Sequence, residues 1–259
     1  MGPPRKPVAA FQFGRDGSVL AVASHWDDLL LGCLGTLVKL KKVLGYEVSV
    51  LVLCNSYGSY YGVDQPRLLD TTREMYGRLC RKCGFENLSV NVPQWINNQE
   101  LADRSFRESV TLLKTILGTV AAGNPDAKPY NLILCPPVDD RNDDHAATGQ
   151  LVFSTFRDPS YTLLEYPIKR YTEVALSPNI CVGLDDTTEG LAGQRQEKVA
   201  GLKVALIRKI CRVNRKSVPN SNRLFSPDAL SARMRMNALD YGKRSGVEFA
   251  EVFRGRIEL

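Results

Sequence analysis

The chain has 259 residues, of which 44% are hydrophobic, a share that fills a core and excludes a disordered protein. The net charge is +6 and the basic residues are scattered, so we expect no nucleic-acid partner, which would favour a clustered basic face. The N-terminal stretch lacks the apolar segment of a signal peptide and no apolar run is long enough to span a membrane, so we expect a cytoplasmic protein.

The first half of the chain alternates short apolar runs with helical patterns. The apolar runs predict strands at 18–24, 47–56, 88–92 and 131–137. The helical patterns predict helices at 29–44, 66–83, 103–122 and 146–157. Strands and helices that alternate at this spacing form parallel strands joined by right-handed crossovers. We therefore predict an α/β fold with a doubly wound, mostly parallel sheet and helices on both faces.

The second half is less regular. It predicts further strands at 161–168 and 179–184 and amphipathic helices at 192–213 and 227–244. We find no internal repeat and no low-complexity linker, so we predict a single domain over 1–259, with 1–17 as an N-terminal extension.

The seven cysteines do not form a recognisable disulfide or zinc-ribbon framework. Their number is odd, and the C-x-x-C pair of Cys80 and Cys83 lies within a predicted helix without a second pair at zinc-ribbon spacing. We interpret the cysteines as reduced, mostly buried thiols that act as small hydrophobic side chains.

Both histidines of the chain follow predicted strands. His25 stands in "SHWDD" after the first strand, and His145 stands in "NDDH" after the fourth. The carboxyl ends of parallel strands share one edge, so we expect the polar residues of the two loops to converge there: His25, Asp27, Asp28, Asp140, Asn142, Asp144 and His145. Of these, His25, Asp28 and His145 are candidates to bind one metal ion. Two imidazoles and one carboxylate are a common catalytic zinc shell, and such zinc lowers the pKa of water to about 7. The neighbouring Asp27 is a candidate general base.

A structural interpretation of the same aspartates stays open. Asp27 or Asp28 could cap the first helix, and Asp143 or Asp144 could cap the helix after the fourth strand. The pairing of both histidines with aspartates at strand ends favours the metal site over capping alone. That site requires the two imidazole rings to lie close enough to share one ion.

At these residues the sequence resembles the LmbE-like, or PIG-L, zinc-dependent de-N-acetylases. Their first motif, A-H-P-D-D-E before an L-G-C-G-G-T-L type stretch, corresponds to "SHWDDLLLGCLGTL", and D-R-H-P-D-H corresponds to "DRNDDHAATGQLVF". Weaker similarities in "EKVAGLKVAL" and "GVEFAEVFR" extend the resemblance over residues 18–254. The resemblance implies a Rossmann-like fold and removal of an acyl group, usually acetyl, from a glucosamine-type amine.

The resemblance also implies roles for individual residues. It assigns His25, Asp28 and His145 as ligands of Zn²⁺ or another divalent metal. It assigns Asp27 as the general base that activates water on the metal, and Asp144 as a catalytic residue that supports neighbouring groups.

Three positions depart from the family pattern. Leu29 replaces a glutamate that acts behind the metal ligands. We expect the absence of this carboxylate to loosen the orientation of the ligands or to alter the metal affinity. Asn142 replaces a histidine that assists the oxyanion; its amide can donate a hydrogen bond but cannot carry a proton. Trp26 replaces a proline and is expected to place a large ring at the mouth of the site.

Loops after the second and third strands are candidates for substrate binding. The loop 54–66 is rich in tyrosine and includes Tyr57, whose ring could stack on a sugar. Arg73 could grip a hydroxylated or anionic group, and Asn98 could contribute an amide contact. The alternative is that these side chains pack on neighbouring helices or lie on the surface. Together with Trp26, they are our predicted substrate-binding residues.

The sequence thus predicts a zinc-dependent hydrolase that removes an N-acyl group from a small molecule containing an amino sugar. One alternative is a non-catalytic family member that binds metal or sugar, and another is an amidase for an N-acyl amino-acid-like metabolite. A nucleotide-dependent dehydrogenase is disfavoured, because no glycine-rich loop follows the first strand. A homo-oligomer is compatible with the sequence.

Overall fold

A computed structural model gives the fold of the chain. The structure describes these residues: 9–10, 13–55, 74, 76–91, 96–97, 106–123, 128–168, 178–189, 196–214, 227–241 and 247–256. Among them, no helix combines the length and the apolar character needed to cross a membrane.

An eight-stranded sheet forms the centre of the molecule, with small two-stranded pairs beside it. The strands are β1 (Ala9–Ala10), β2 (Ser18–Ala23), β3 (Glu47–Val52), β4 (Cys54–Asn55), β5 (Glu86–Asn87), β6 (Ile96–Asn97), β7 (Leu132–Cys135), β8 (Thr162–Glu165), β9 (Ile180–Gly183), β10 (Thr187–Glu189), β11 (Gln196–Lys198) and β12 (Ala250–Arg256). The order in the large sheet is β1-β9-β12-β8-β7-β2-β3-β5, and only β12 runs antiparallel to its neighbours. The predicted mostly parallel sheet is confirmed.

Helices cover both faces of this sheet. They are α1 (Trp26–Gly32), α2 (Leu34–Lys42), α3 (76–83 in the described part), α4 (Phe106–Gly123), α5 (Asp143–Thr155), α6 (Val199–Asn214) and α7 (Pro227–Tyr241). Successive side chains of β2 point to opposite faces, so Val19 and Ala21 belong to the core beneath α1 and α2. Leu20 and Val22 belong to the core beneath α4 and α5. The prediction of helices on both faces is therefore confirmed.

The chain reverses its direction of travel across the sheet beside β2. From β2 it continues to β3 and β5 on one side, and it later returns through β7 and β8 on the other. β2 pairs directly with both β3 and β7, in parallel. A crevice at the carboxyl ends of such strands is the usual ligand site of a doubly wound sheet.

The predicted helix over 29–44 is wrong in its bounds, because α1 begins at Trp26 and a break at Cys33 separates it from α2. The break has a partner from the other end of the chain. The buried carboxylate of Glu251 in β12 accepts hydrogen bonds from the amides of Gly35 and Thr36, at 3.0 and 2.7 Å. These amides belong to the first turn of α2, where they have no acceptor within the helix. A carboxylate from a distant part of the chain takes that place.

The predicted strand over 88–92 is also wrong. Strand β5 covers only Glu86–Asn87, and Leu88–Asn91 form a 3₁₀ helix. The hydroxyl of Ser89 accepts the hydrogen bond of the Val52 amide at 2.8 Å, where a paired strand would offer a carbonyl. This side-chain substitution lets the segment leave the sheet.

Candidate metal centre

Three predicted metal ligands form a tight, buried triangle beyond the carboxyl ends of β2 and β7. The Nδ1 atom of His25 lies 3.3 Å from Nε2 of His145. The Asp28 carboxylate lies 3.4 Å from Nδ1 of His25 and 3.3 Å from Nε2 of His145. The three side chains are buried, with 8%, 2% and 4% of the surface exposed for His25, Asp28 and His145. The imidazole rings are therefore close enough to share one ion, as the sequence required.

The start of α1 places His25 and Asp28 side by side. His25 is the N-cap residue, and its amide donates a hydrogen bond to Oδ2 of Asp28 at 2.8 Å. Trp26 to Asp28 precede the predicted helix start at Leu29, but in the structure they form the first turn of α1. Asp28 does serve the helix end, as the capping interpretation proposed, and the same carboxylate faces both imidazoles.

The start of α5 positions His145. Asn142, not Asp143 or Asp144, is its N-cap residue, and Oδ1 of Asn142 accepts the His145 amide at 3.2 Å. Asp140 accepts the Asn142 amide at 2.9 Å through Oδ1, and the same oxygen lies 3.4 Å from Nδ1 of His145. The Nδ1 edge of the His145 ring thus meets the Asp140 carboxylate, which orients the ring, while Nε2 faces the triangle.

Asp144 orients the other imidazole. Its Oδ2 atom lies 3.2 Å from Nε2 of His25, opposite the nitrogen that faces the triangle. Its main-chain carbonyl accepts a hydrogen bond from the Ser24 hydroxyl at 3.0 Å, which ties α5 to the end of β2. This contact agrees with the supporting role that the resemblance implies for Asp144.

The surrounding carboxylates hold the imidazoles in their protonated form. Burial by itself would lower the pKa of His25, but hydrogen bonds with Asp144 and Asp28 and the charge of Asp28 raise it to about 10. Burial opposes protonation of His145 in the same way, while the charge of Asp28 and the contact with Asp140 raise its pKa to about 9. Burial favours the neutral form of Asp28, yet the positive imidazoles bring the pKa of this carboxyl well below its usual range.

Asp27 has the opposite character. Its side chain is half-buried in the first turn of α1. Removal from water and the negative charge of Asp28 raise the pKa of Asp27 above its usual value, against the attraction of His25 and His145. A carboxyl group whose pKa moves toward neutrality is suited to take up a proton and release it. The two adjacent aspartates therefore have separate electrostatic roles.

The triangle fits a divalent cation. Metal bonds of about 2.0–2.2 Å to nitrogen and oxygen place the ligand atoms of one zinc ion roughly 3–4 Å apart. The separations among the His25, Asp28 and His145 atoms lie in that range. The two facing ring nitrogens, 3.3 Å apart, and the Asp28 carboxylate beside both can together coordinate one cation. A cation there would replace the protons that otherwise keep these buried rings charged.

The remaining predicted site residues are placed differently. Trp26 is only 4% exposed and packs in the apolar core, so its ring does not lie at an open mouth of the site. Leu29 is buried in the same apolar core, where a glutamate carboxylate would lose its contact with water. Tyr57, Arg73 and Asn98 lie outside the described residues, and their substrate-binding roles stay predictions.

The sequence interpretation gave too little weight to Asp140 and Cys54. Asp140 was grouped with the site but assigned no role, although it contacts His145. The predicted strand over 47–56 contains Cys54, whereas in the structure β3 ends at Val52 and Cys54 begins β4. Cys54 therefore lies just beyond the carboxyl end of β3, at the same sheet edge as His25. The other described cysteines behave as predicted: they are buried, without disulfides, and burial raises the pKa of Cys80 and Cys83 to about 12.

Comparisons with known proteins agree with this site. A family model described as PIG-L, GlcNAc-PI de-N-acetylase, matches residues 20–156, more than half of the chain and both histidine motifs. A search of curated proteins gave no significant match.

Solved structures with the same fold include proteins of different activities. The chain is similar to the N,N'-diacetylchitobiose deacetylase from Pyrococcus horikoshii, with 20% identity, a TM-score of 0.58, and coverage of 92% of this chain and 83% of that one. It is similar to GalB, the 4-carboxy-2-hydroxymuconate hydratase from Pseudomonas putida, with 13% identity, a TM-score of 0.62, and coverage of 93% and 96%. A zinc-inhibited form of the teicoplanin deacetylase Orf2 matches with 12% identity, a TM-score of 0.56, and coverage of 92% and 97%.

Proposed function

This chain belongs to the PIG-L family of GlcNAc-PI de-N-acetylases, and we propose that it is a metal-dependent hydrolase that removes an N-acyl group from an amino-sugar-containing small molecule. The observation that carries the proposal is the buried triangle of His25, Asp28 and His145, with separations of 3.3–3.4 Å. These residues would hold Zn²⁺ or another divalent cation. When bound, such an ion lowers the pKa of water and polarises a carbonyl group.

The proposed chemistry divides the work among the chain's own side chains. Asp27, with its raised pKa, takes a proton from the attacking water and later delivers it to the leaving amine. Asn142 assists the oxygen that gains negative charge: its Oδ1 accepts the His145 amide, so its amide nitrogen remains to donate. Asp144 and Asp140 keep the two imidazole rings in position.

The acyl group is proposed to be acetyl and the amine to belong to a sugar. The family description names a GlcNAc-containing substrate, and two of the similar structures are deacetylases. The hydratase GalB shares the fold, so the fold alone does not select the reaction. The family match over both histidine motifs is what favours amide hydrolysis.

A non-catalytic metal- or sugar-binding role is the second candidate. It is favoured by Leu29, which is buried in the apolar core, and by Asn142, whose side chain already caps α5. An amidase for N-acyl amino-acid-like metabolites would use the same site with another substrate. Assays on N-acyl sugars and N-acyl amino acids in parallel separate these alternatives.

The decisive experiment measures acetate release from N-acetylglucosamine conjugates by the purified protein, after chelation and after zinc is restored. We expect activity only with the metal. Asp27→Asn should keep the metal and lower kcat by about 10²–10⁴-fold, because it removes the group that transfers the proton. The exposed Asp143→Asn serves as the matched control and should retain full activity. Equal turnover after complete metal removal would refute the mechanism, and no release of acyl group with full metal occupancy would favour the binding role.

A further inference from the structure

A second group of potential metal ligands adjoins the triangle. One ligand atom each from His25, Cys54 and Asp144 lie within 4.8 Å of one another. All three residues are buried, with 8%, 1% and 4% of their surface exposed. Thiol, imidazole and carboxylate together are a donor set that metals of the zinc group accept.

Ser24 holds these three residues together. The Cys54 amide donates a 2.7 Å hydrogen bond to the Ser24 carbonyl, which extends the pairing of β2 and β3 beyond both strands. The Ser24 hydroxyl donates to the Asp144 carbonyl at 3.0 Å and lies 2.8 Å from the Thr148 hydroxyl oxygen. His25 follows Ser24 directly in the chain. A fully buried residue therefore fixes the main chain of all three donors.

The two ring nitrogens of His25 face different partners. Nδ1 lies toward Asp28 and His145, whereas Nε2 lies 3.2 Å from Oδ2 of Asp144. Metal bonds of about 2.0–2.3 Å place the ligand atoms of one ion roughly 3–4 Å apart, so small side-chain movements bring the second group to bonding distance. A thiolate gives this group a stronger preference for soft, thiophilic cations than the all-nitrogen-and-oxygen triangle has.

We propose that His25, Cys54 and Asp144 form a second cation site that is selective for thiophilic divalent ions, with Cd²⁺ as the diagnostic probe. On binding, the cation replaces the thiol proton of Cys54, which leaves to solvent. The proposal does not depend on hydrolase activity. Because His25 belongs to both donor sets, an ion at the second site changes the surroundings of the first.

The test is a titration of the full chain with Cd²⁺, followed by the ultraviolet charge-transfer absorbance of cadmium–thiolate bonds. The wild-type protein should show a band for one thiolate per chain. Cys54→Ser should lose that band. Cys181→Ser removes another buried strand cysteine and should keep it. Asp144→Asn keeps the thiol and should weaken Cd²⁺ binding by about tenfold or more.

Zinc titration of the same variants separates this site from the triangle. Cys54→Ser and the second variant Cys54→Ala should retain zinc affinity at His25, Asp28 and His145, with a folded circular-dichroism spectrum. Absence of a thiolate band in the wild-type protein, or its persistence in both Cys54 variants, would overturn the proposal. An unchanged Cd²⁺ affinity in Asp144→Asn would overturn the three-residue site. If the wild-type protein did not bind zinc, the proposed function would be refuted. The cadmium titration would still decide whether His25, Cys54 and Asp144 form a cation site.

Discussion

Two groups of buried charges lie at opposite ends of the short helix α1, and they are balanced in different ways. At its C-terminal end, Lys203 and Glu251 form an ion pair at 2.5 Å. Lys203 also donates to the Leu31 carbonyl at 3.0 Å, and Glu251 accepts the Gly35 and Thr36 amides. This pair has one positive charge, one negative charge and main-chain partners on both sides. It is complete without any ligand.

At the N-terminal end of α1, the negative charge of the carboxylates is balanced only by the protons on two imidazoles. His25 and His145 are contacted there by the carboxylates of Asp28, Asp140 and Asp144. The imidazoles are cationic only because these carboxylates raise their pKa values, to about 10 and about 9. A divalent cation can take the place of those protons. Buried charges by themselves therefore do not identify a functional site. A buried group that can exchange its protons for a cation, as the one around His25 and His145 can, is the better indication of one.

The largest expected effect is structural and breaks the balanced pair. Glu251→Gln removes one buried carboxylate charge and leaves the Lys203 ammonium without its counter-charge. We expect the free energy of unfolding to fall by about 3–5 kcal/mol, with zinc affinity unchanged. Urea unfolding in the presence of a chelator and calorimetric zinc titration measure the two quantities. If the loss of zinc-binding free energy exceeded the loss of unfolding free energy, the two groups would be coupled through α1, contrary to this prediction.

The matching change at the other end should reverse this pattern. Asp28→Asn also converts one buried carboxylate to an amide, but it removes a proposed metal ligand. Changes behind metal ligands weaken metal binding about 10–100-fold, so we expect zinc affinity to fall by more than about 100-fold. The stability of the chelated protein should change less than in Glu251→Gln. Comparable zinc affinities in Asp28→Asn and the wild-type protein, measured by competition with a chromogenic chelator, would exclude Asp28 as a ligand.

The difference between these groups could be predicted only in part from the sequence. The positions of His25 and His145 follow from local patterns, because each lies at the start of the helix that follows an apolar strand. Their contact depends on β2 pairing with β7, and strand order is set by long-range packing that a local pattern does not contain. Cys54 was overlooked because its apolar surroundings resemble those of any core cysteine.

The balanced pair was beyond local prediction altogether. Lys203 and Glu251 look like ordinary residues of an amphipathic helix and a polar segment, and only the fold brings them beneath α1. The same holds for the helix break at Cys33. The amides that follow this break donate hydrogen bonds to Glu251, which is distant in the sequence. Strand β12 was missed for a related reason: its antiparallel place between β8 and β9 depends on partners from distant parts of the chain.

The pH dependence sharpens the comparison further. The folded-state pKa values of His25 and His145 are raised above the usual 6.5, so their contribution to stability is complete below that pH. It is lost as the pH rises through about 9 and about 10. The chelated protein should therefore lose thermal stability between pH 7 and pH 10. Zinc affinity should rise with pH, by up to about tenfold per unit for each proton released.

Thermal unfolding of the chelated wild-type protein at a series of pH values tests the first trend. Zinc titrations between pH 6 and pH 8 test the second. The double variant His25→Asn/His145→Asn is the control and should show a flatter stability profile over the same range. Stability of the chelated protein that rises steadily from pH 7 to pH 10 would contradict protonated imidazoles in the buried triangle.

The smallest effect concerns a network that connects β12 to the candidate metal centre. Arg254 donates to both oxygens of Asp139, at 2.9 and 2.7 Å, and to the fully buried Glu165. Glu165 in turn accepts the Val138 amide at 3.0 Å. These contacts fix the loop that leads to Asp140, the carboxylate beside His145.

Arg254→Lys keeps the charge but loses the fork that grips two carboxylates at once. Its effect reaches the metal only through the loop, so we expect zinc affinity to fall by no more than about tenfold. Arg235→Gln is the control: it removes an arginine from an exposed pair with Glu248 and should leave zinc affinity unchanged. If Arg254→Lys lowers stability and leaves zinc affinity at the wild-type value, the Arg254 network resembles the Lys203–Glu251 pair. If zinc affinity falls more than stability does, the network positions His145, and support for the metal centre extends from α1 across the sheet to β12.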